Sequence, residues 1–333
     1  MKFGIMLLPR SLEETKAVAA AGEAAGFEWI SNSDSPTVYQ ESYITQMAIA
    51  QAAPSVKIGP MVSHVVIRHP VIIANLWATM QEFTDGRLIG TIATGNSAAR
   101  GLGLKPSKVS ELAQAIEAIE GYWAGEGGKF LDSEIPKSGI KRRSCPILIS
   151  ADGPKAAALA ATHGDGLLYG GTLEPEVRKR RLEAAKITEG REAWIAPTVS
   201  LRENHDDVRD DLGAMVVAMA NRAMRADLSE RGVPPEIQED VLEMRRVYDY
   251  GFHADNTRPK NTGLISERLT NYLLDTLCIW GDEERFKRTI DELDAEGWTG
   301  IMFILGQAEG LQEQFVRDLG ARLQKLGYLT PRS

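Results

Sequence analysis

Pro146-Ile147-Leu148-Ile149-Ser150-Ala151-Asp152-Gly153-Pro154, an alanine-rich stretch to Thr162, and then Gly166-Leu167-Leu168-Tyr169 decide how this chain folds. Residues 147–149 are a short, unbroken apolar run, the pattern of a strand buried on both faces. Ser150 to Gly153 are small or polar and turn the chain. Pro154 suits the first position of a helix, where its missing N–H costs nothing. Residues 166–169 then start a second strand. A strand, a turn, a helix and a strand in about 25 residues make a parallel crossover unit.

The same rhythm extends in both directions. Strands are expected at 3–8, 27–31, 56–62, 87–93, 146–150, 166–169, 193–201 and 299–305, with helices between them. Ser11 caps the first helix, with Glu13 and Glu14 in its opening turn, and Gly26 stops it. Pro70 opens another helix, and Leu112, Ile116 and Ile119 stand at helical spacing on a third. Residues 125–143, rich in glycine and charge, read as a loop. Eight such units in one α/β chain favour a (β/α)8, or TIM, barrel. An open doubly wound sheet usually shows a glycine fingerprint after its first strand; Leu7-Leu8-Pro9-Arg10-Ser11 has none. We read one domain over 1–333, with a helical insertion at about 205–297 between the seventh and eighth strands. Met215, Met219, Met224, Met244, Tyr248, Tyr250, Phe252 and His253 give that insertion the composition of an adaptable apolar lid.

Composition narrows the function. Of the 333 residues 43% are hydrophobic and 25% charged, and the net charge is −8, an ordinary soluble balance. The acidic excess argues against nucleic-acid binding. Two cysteines, Cys145 and Cys278, exclude a disulfide framework and suit a reducing cytoplasm. The apolar start ends at Pro9-Arg10, too early for a signal peptide, and no apolar run reaches membrane-spanning length. We therefore expect a cytoplasmic protein with no membrane contact. No phosphate loop, nucleophile elbow or metal-ligand spacing occurs, and no metal is expected; His64 and His69 are five apart, whereas one helix face needs three or four.

The informative residues follow the strands, where barrels keep their chemistry. They are Ser31-Asn32-Ser33-Asp34-Ser35, Ser63-His64, Thr94-Gly95-Asn96-Ser97, Ser150-Ala151-Asp152-Gly153-Pro154 and Gly170-Gly171-Thr172. Small residues let a flat ligand approach the backbone, and the helix opening at Pro154 has free N–H groups for a phosphate.

These stretches, together with Ile58-Gly59-Pro60-Met61-Val62-Ser63, Arg68-His69-Pro70, Gly86-Arg87, Gly153-Pro154-Lys155 and Gly164-Asp165-Gly166, resemble the bacterial luciferase-like superfamily. Within it the likeness is to methylenetetrahydromethanopterin reductase and its bacterial relatives. The resemblance implies a flavin or deazaflavin (F420) at the C-terminal rim of the barrel. A non-prolyl cis peptide in the third strand, around Met61-Val62-Ser63, would back the ring. Thr94, Gly95 and Asn96 would meet its polar edge. Ser150, Ala151, Asp152, Gly153 and Pro154 would meet its phosphate, Asp152 and Gly153 through their backbone N–H groups. His64 and Asn96 are the expected catalytic residues. Two departures bear on the cofactor. F420-dependent relatives often carry an acid where Asn96 stands, and an Asp-His pair after the second strand, where no histidine occurs here. An amide cannot supply a proton as a carboxylic acid does. The expectation is therefore a monooxygenase using reduced FMN and O2 on a small organic substrate, supplied by a separate flavin reductase. The alternatives are an F420-dependent hydride-transfer enzyme and a non-catalytic flavin-binding protein. A homodimer is expected, since family members commonly pair through early helices and residues 72–77 are apolar.

Overall fold

The computed structural model describes residues 1–225, 227–254 and 260–332. Its strands are β1 (Lys2–Leu7), β2 (Trp29–Asn32), β3 (Lys57–Ile58), β4 (Ser63–His64), β5 (Gly90–Ala93), β6 (Gly128–Phe130), β7 (Ser133–Ile135), β8 (Ile147–Ser150), β9 (Gly166–Tyr169), β10 (Glu192–Ile195), β11 (Thr198–Val199), β12 (Cys278–Ile279) and β13 (Gly300–Ile304). Its α-helices are α1 (Leu12–Ala25), α2 (Ser42–Ala52), α3 (Pro70–Phe83), α4 (Ser97–Gly101), α5 (Val109–Ala124), α6 (Pro154–His163), α7 (Pro175–Ala185), α8 (His205–Leu212), α9 (Ala214–Ala223), α10 (Pro235–Val247), α11 (Glu267–Leu277), α12 (Glu283–Glu296) and α13 (Gln312–Lys325). The caps are those the residues call for. Ser11 accepts the Glu14 N–H at 3.1 Å, and Gly26 ends α1 at φ 103°. Gly153 precedes α6 and has no side chain to cap it, so the first turn of that helix lacks a side-chain partner at its N-cap.

The main sheet is parallel and runs β3-β2-β1-β13-β10-β9-β8-β5-β4. Its two ends belong to one interrupted segment, 57–64, and they meet. Ile58 bridges to Leu88, just before β5, and Met61 bridges to Ser33, just after β2. The sheet therefore closes into the (β/α)8 barrel expected from the alternation. Between β3 and β4 the backbone leaves the ladder, and the Met61–Val62 peptide there is cis.

The core has two layers. One lies between strands and outer helices and includes Trp77, Ile92, Ile149, Phe286 and Ile290. The other fills the barrel and continues under α8 to α11, joining Trp29, Leu148, Trp194 and Met302 to Met215, Met219, Met244 and Leu273. This division separates two parts of the 205–297 stretch. The buried residues of α12 belong to the outer layer, so α12 is a barrel helix. The helices before it lie over the barrel mouth.

Several short elements differ from the sequence expectation. The expected strand 193–201 is broken into β10 and β11, and β12, inside the stretch read as a helical insertion, pairs with β11. Residues 125–143 are not all loop: β6 and β7 pair antiparallel within them. Phe130 and Ile135 are buried there while Gly128, Lys129, Ser133 and Glu134 are exposed, so each three-residue strand docks by a single side chain. The helix α4 directly after Asn96 was unexpected as well; five residues give no periodicity to read.

Candidate functional site

At the C-terminal rim the strand ends enclose a cavity of about 370 Å³. Its wall includes Met61, Val62, His64, Thr94, Gly95, Asn96, Ser150, Ala151, Asp152 and Gly153. Ten of the twelve residues named from sequence thus face one space. Ser63 is fully buried, and its hydroxyl bonds the Tyr43 hydroxyl at 2.7 Å. Pro154 opens α6 behind Gly153. The helix α9 covers the cavity with one face, presenting Met215, Ala218, Met219 and Arg222. That spacing is one helical stripe.

Along one wall the polar groups are short of partners. His64 is 2% exposed, and neither ring nitrogen has a hydrogen bond among the described residues. Burial first, and then the nearby Arg68 charge, lower its pKa to about 4, so the ring is neutral at pH 7. The Nδ2 of Asn96 is also buried without a partner, while its Oδ1 accepts from Arg100 Nε at 3.2 Å. Buried polar groups are rarely left unpaired, so these atoms point to a ligand. Gly95 stands at φ 86°, and a Cβ there would lie 3.3 Å from His64 Cγ.

Asp34 joins the same wall. It is 4% exposed, and Arg68 Nη1 donates to its carboxylate at 2.6 Å, with Glu41 on the other side of Arg68 at 2.7 Å. Burial pushes the Asp34 pKa up, and Arg68 opposes that shift without reversing it.

The opposite end is cationic. Arg222 Nη2 donates to the Gly170 carbonyl at 2.5 Å, and its Nε is 3.5 Å from the Asp152 carboxylate. Asp152 also accepts the Gly170 N–H at 3.1 Å. Arg231 bonds the Asp152 carbonyl, and a Cβ on Gly153 would come within 3.4 Å of its Nη2. Asp152, a poor neighbour for a phosphate by charge, is therefore turned to Arg222. Sequence reading missed the arginines of this end. Of the two, only Arg222 had a local signal, a charge inside an apolar helix: Met219-Ala220-Asn221-Arg222-Ala223-Met224.

The two cavity histidines, His64 buried and His253 half-buried, give a pH dependence. His64 and His253 are both held near pKa 4, His253 by burial and then by Arg222, against 6.5 when unfolded. Below pH 6.5 the unfolded chain binds protons that the folded chain refuses. Stability should therefore fall from pH 7 toward pH 4, by up to about 1.4 kcal/mol per pH unit for each histidine. The raised Asp34 pKa works the other way at the acid end. Urea midpoints at pH 7.5 and 5 test this; an equal midpoint, or one that His64→Gln leaves just as steep, would count against it.

Both cysteines are buried, and burial pushes both thiols up to about 12, so neither is a nucleophile at pH 7. Among the described residues no three His, Cys, Asp or Glu side chains gather to hold a metal ion, and no helix is long and apolar enough to cross a membrane.

The family model described as luciferase-like monooxygenase matches residues 1–299. The chain belongs to the luciferase-like family. Its luciferase-like relatives include the 5,10-methylenetetrahydromethanopterin reductase of Archaeoglobus fulgidus, 26% identical over 320 residues, covering 91% of this chain and 92% of that one. Among solved structures, the coenzyme F420 dependent tetrahydromethanopterin reductase of Methanopyrus kandleri superposes with a TM-score of 0.74 at 20% identity, over 99% of each chain. The EDTA monooxygenase of Chelativorans sp. BNC1 superposes at 0.65 and 14% identity, over 100% of this chain and 95% of that one. This luciferase-like protein is accordingly an oxidoreductase of the flavin- or F420-dependent kind. The cavity fits such a group. It has an apolar floor, a wall with free polar atoms and a cationic end.

Proposed function

We propose that this chain is an F420-dependent oxidoreductase, moving a hydride between the deazaflavin and a small organic substrate. The observation that carries the reading is Asp34. The sequence reading leaned to reduced FMN because neither an acid at position 96 nor an Asp-His pair supplied a proton donor. Asp34 places a buried carboxyl of raised pKa in the same wall as His64. One relative named for the cofactor, the F420-dependent glucose-6-phosphate dehydrogenase of Amycolatopsis mediterranei, is 25% identical over 269 residues and covers 72% of this chain, which supports the same choice.

When bound, the cofactor supplies or takes the hydride. The chain does the rest. Met61 and Val62 form an apolar support, with Ser63 behind them. Thr94, Gly95 and Asn96 offer the polar edge, with Asn96 Nδ2 as donor. Ser150, Ala151, Asp152, Gly153 and the start of α6 at Pro154 take the phosphate end, with Arg222 and Arg231 supplying charge. Asp34 and His64 hold or return the proton at the substrate's reacting oxygen or nitrogen. The stripe on α9 excludes water.

Titration of the protein with F420 and with FMN, followed by fluorescence, tests the reading: tighter F420 binding is expected, and tight FMN binding with substrate-dependent O2 uptake would overturn it. Arg222→Ala should weaken F420 by about 10- to 100-fold, the loss of a charged hydrogen bond; an unchanged Kd would move the anionic tail elsewhere. The second reading, a reduced-FMN monooxygenase fed by a flavin reductase, is favoured by Asn96 and neutral His64, which suit a shielded oxygen adduct better than an acid does. We also propose a cytoplasmic homodimer through α2 and α3, which expose Ile44 and Ile72; light scattering tests it.

A further inference from the structure

Four arginines face the cavity: Arg100, Arg222, Arg225 and Arg231. Among the described residues only Arg222 has a carboxylate within ion-pair distance. Arg222 and Arg231 are committed to the Asp152–Gly170 end by the bonds described above. Arg100 and Arg225 are held elsewhere. Arg100 lies on α4 and spends its Nε on Asn96. Arg225 follows α9 and spends Nη2 on the Tyr250 hydroxyl at 2.5 Å and on Asn221 Oδ1 at 3.0 Å. The turn that carries Tyr250 packs on α4, so the two guanidinium groups belong to one part of the cavity wall. Burial, together with the charges of Arg100 and Arg245, shifts Arg225 downward. The Nε of Arg225 is buried with no hydrogen-bond partner among the described residues.

Two like charges on one wall of a cavity, with no carboxylate paired to either among the described residues, are unfavourable in the empty protein. An oxyanion between them would remove that repulsion and use the unspent N–H groups, and guanidinium forks suit carboxylate and phosphate oxygens. In a chain with 46 acidic and 38 basic side chains, two arginines with no paired carboxylate among the described residues are a local feature that overall charge does not explain. The anchoring of each arginine by a neutral amide or hydroxyl fixes its position while keeping its charge available.

We propose that Arg100 and Arg225 form an oxyanion subsite distinct from the Asp152–Gly153 end, and that the substrate enters it with a carboxylate or phosphate group. This rests on the F420 reading for the identity of the other occupant, and names the class of substrate: a small anionic molecule. The same chemistry has a second source, the glutamyl carboxylates of the F420 tail, and the test separates them.

Isothermal titration of inorganic phosphate and of acetate into F420-saturated protein, and into the protein alone, gives the reading. Saturable binding of at least one anion to the F420-loaded protein is expected. Arg100→Gln should weaken it at least tenfold while changing the F420 Kd less than twofold, and Arg100→Lys should retain most of it. Arg225→Lys, which keeps charge and bulk, checks the second member without emptying its place beside Tyr250. Two results overturn the proposal: anion binding equal in wild type and Arg100→Gln, or a tenfold loss of F420 affinity in Arg100→Gln with no separate anion binding, which would give both arginines to the cofactor tail. Failure to bind F420 at all would sink the proposed function instead, and the titration of the protein alone would still decide the anion subsite.

Discussion

Asp34→Asn should slow hydride transfer by about 10²- to 10⁴-fold, the usual contribution of a positioned acid or base, while F420 affinity stays within a few-fold of wild type. The substitution is nearly isosteric, and the amide oxygen still accepts from Arg68, so the wall keeps its shape. What is lost is the ability to carry a proton. Asp34 is suited to that task because two opposing influences are balanced on it: burial favours the neutral acid, and Arg68 favours the anion. Glu41 shares Arg68 at 2.7 Å, which tempers the hold of that charge on Asp34. His64, its neighbour in the wall, is a neutral imidazole at pH 7 with no side-chain partner among the described residues, so it can pass a proton on. The measurement is single-turnover absorbance of F420 with a substrate found by screening, alongside the binding titration. A full rate in Asp34→Asn would remove the carboxyl from the mechanism and restore the case for the FMN reading. A lost rate together with lost F420 binding would mean that Asp34 acts in binding rather than proton transfer.

The barrel was legible because its strands are continuous apolar runs, and runs such as 147–149 and 301–305 have no other economical place than a sheet covered on both faces. The wall of the site was legible for a related reason. Chemistry in a barrel follows strand ends, and the strand ends were visible, so Thr94, Asn96 and Gly153 could be named without coordinates. The missing parts come from the long connection. Arg222 and Arg225 sit where a helix of Ala, Val and Met turns over the barrel mouth, and no local pattern tells which face of such a helix meets a cavity at the far side of the sheet. Asp34 was in view but read only as part of a polar cluster. Its value depends on burial and on Arg68, 34 positions away, and both are tertiary facts. The hairpin at 128–135 shows the opposite limit: three-residue strands are specified by Phe130 and Ile135 docking on the core, not by periodicity.

Trp194→Ala should cost about 3–5 kcal/mol of stability, the range for emptying a large aromatic from a core. Trp194 is 1% exposed and packs edge-on against Trp29 at 5.0 Å inside the barrel. Its Nε1 donates to Glu192 at 2.7 Å, so the ring is held at its polar edge as well. The neighbouring strand makes room for it with a glycine. Gly300 pairs with Trp194 in the β10–β13 ladder, and a Cβ there would lie 2.6 Å from Trp194 Cε3. The ring has no free direction to yield, with Trp29 on its other side, so Gly300→Ala alone should cost about 1–3 kcal/mol by overpacking. The two substitutions should not add. In the double variant the new methyl enters space that the indole has left, and the combined loss should fall short of the sum by more than the roughly 0.5 kcal/mol expected of independent sites. Denaturant midpoints of the four proteins measure this, and strict additivity would mean that the glycine is there for the backbone and not for the ring. The consequence reaches the site, because Trp194 shares its inner layer with Met6, Leu168, Ala196 and Ile304, which line the cavity from below. A barrel interior that relaxes around the lost indole lowers the floor on which a flat cofactor would rest, so Trp194→Ala should bind F420 more weakly even at temperatures where it remains folded.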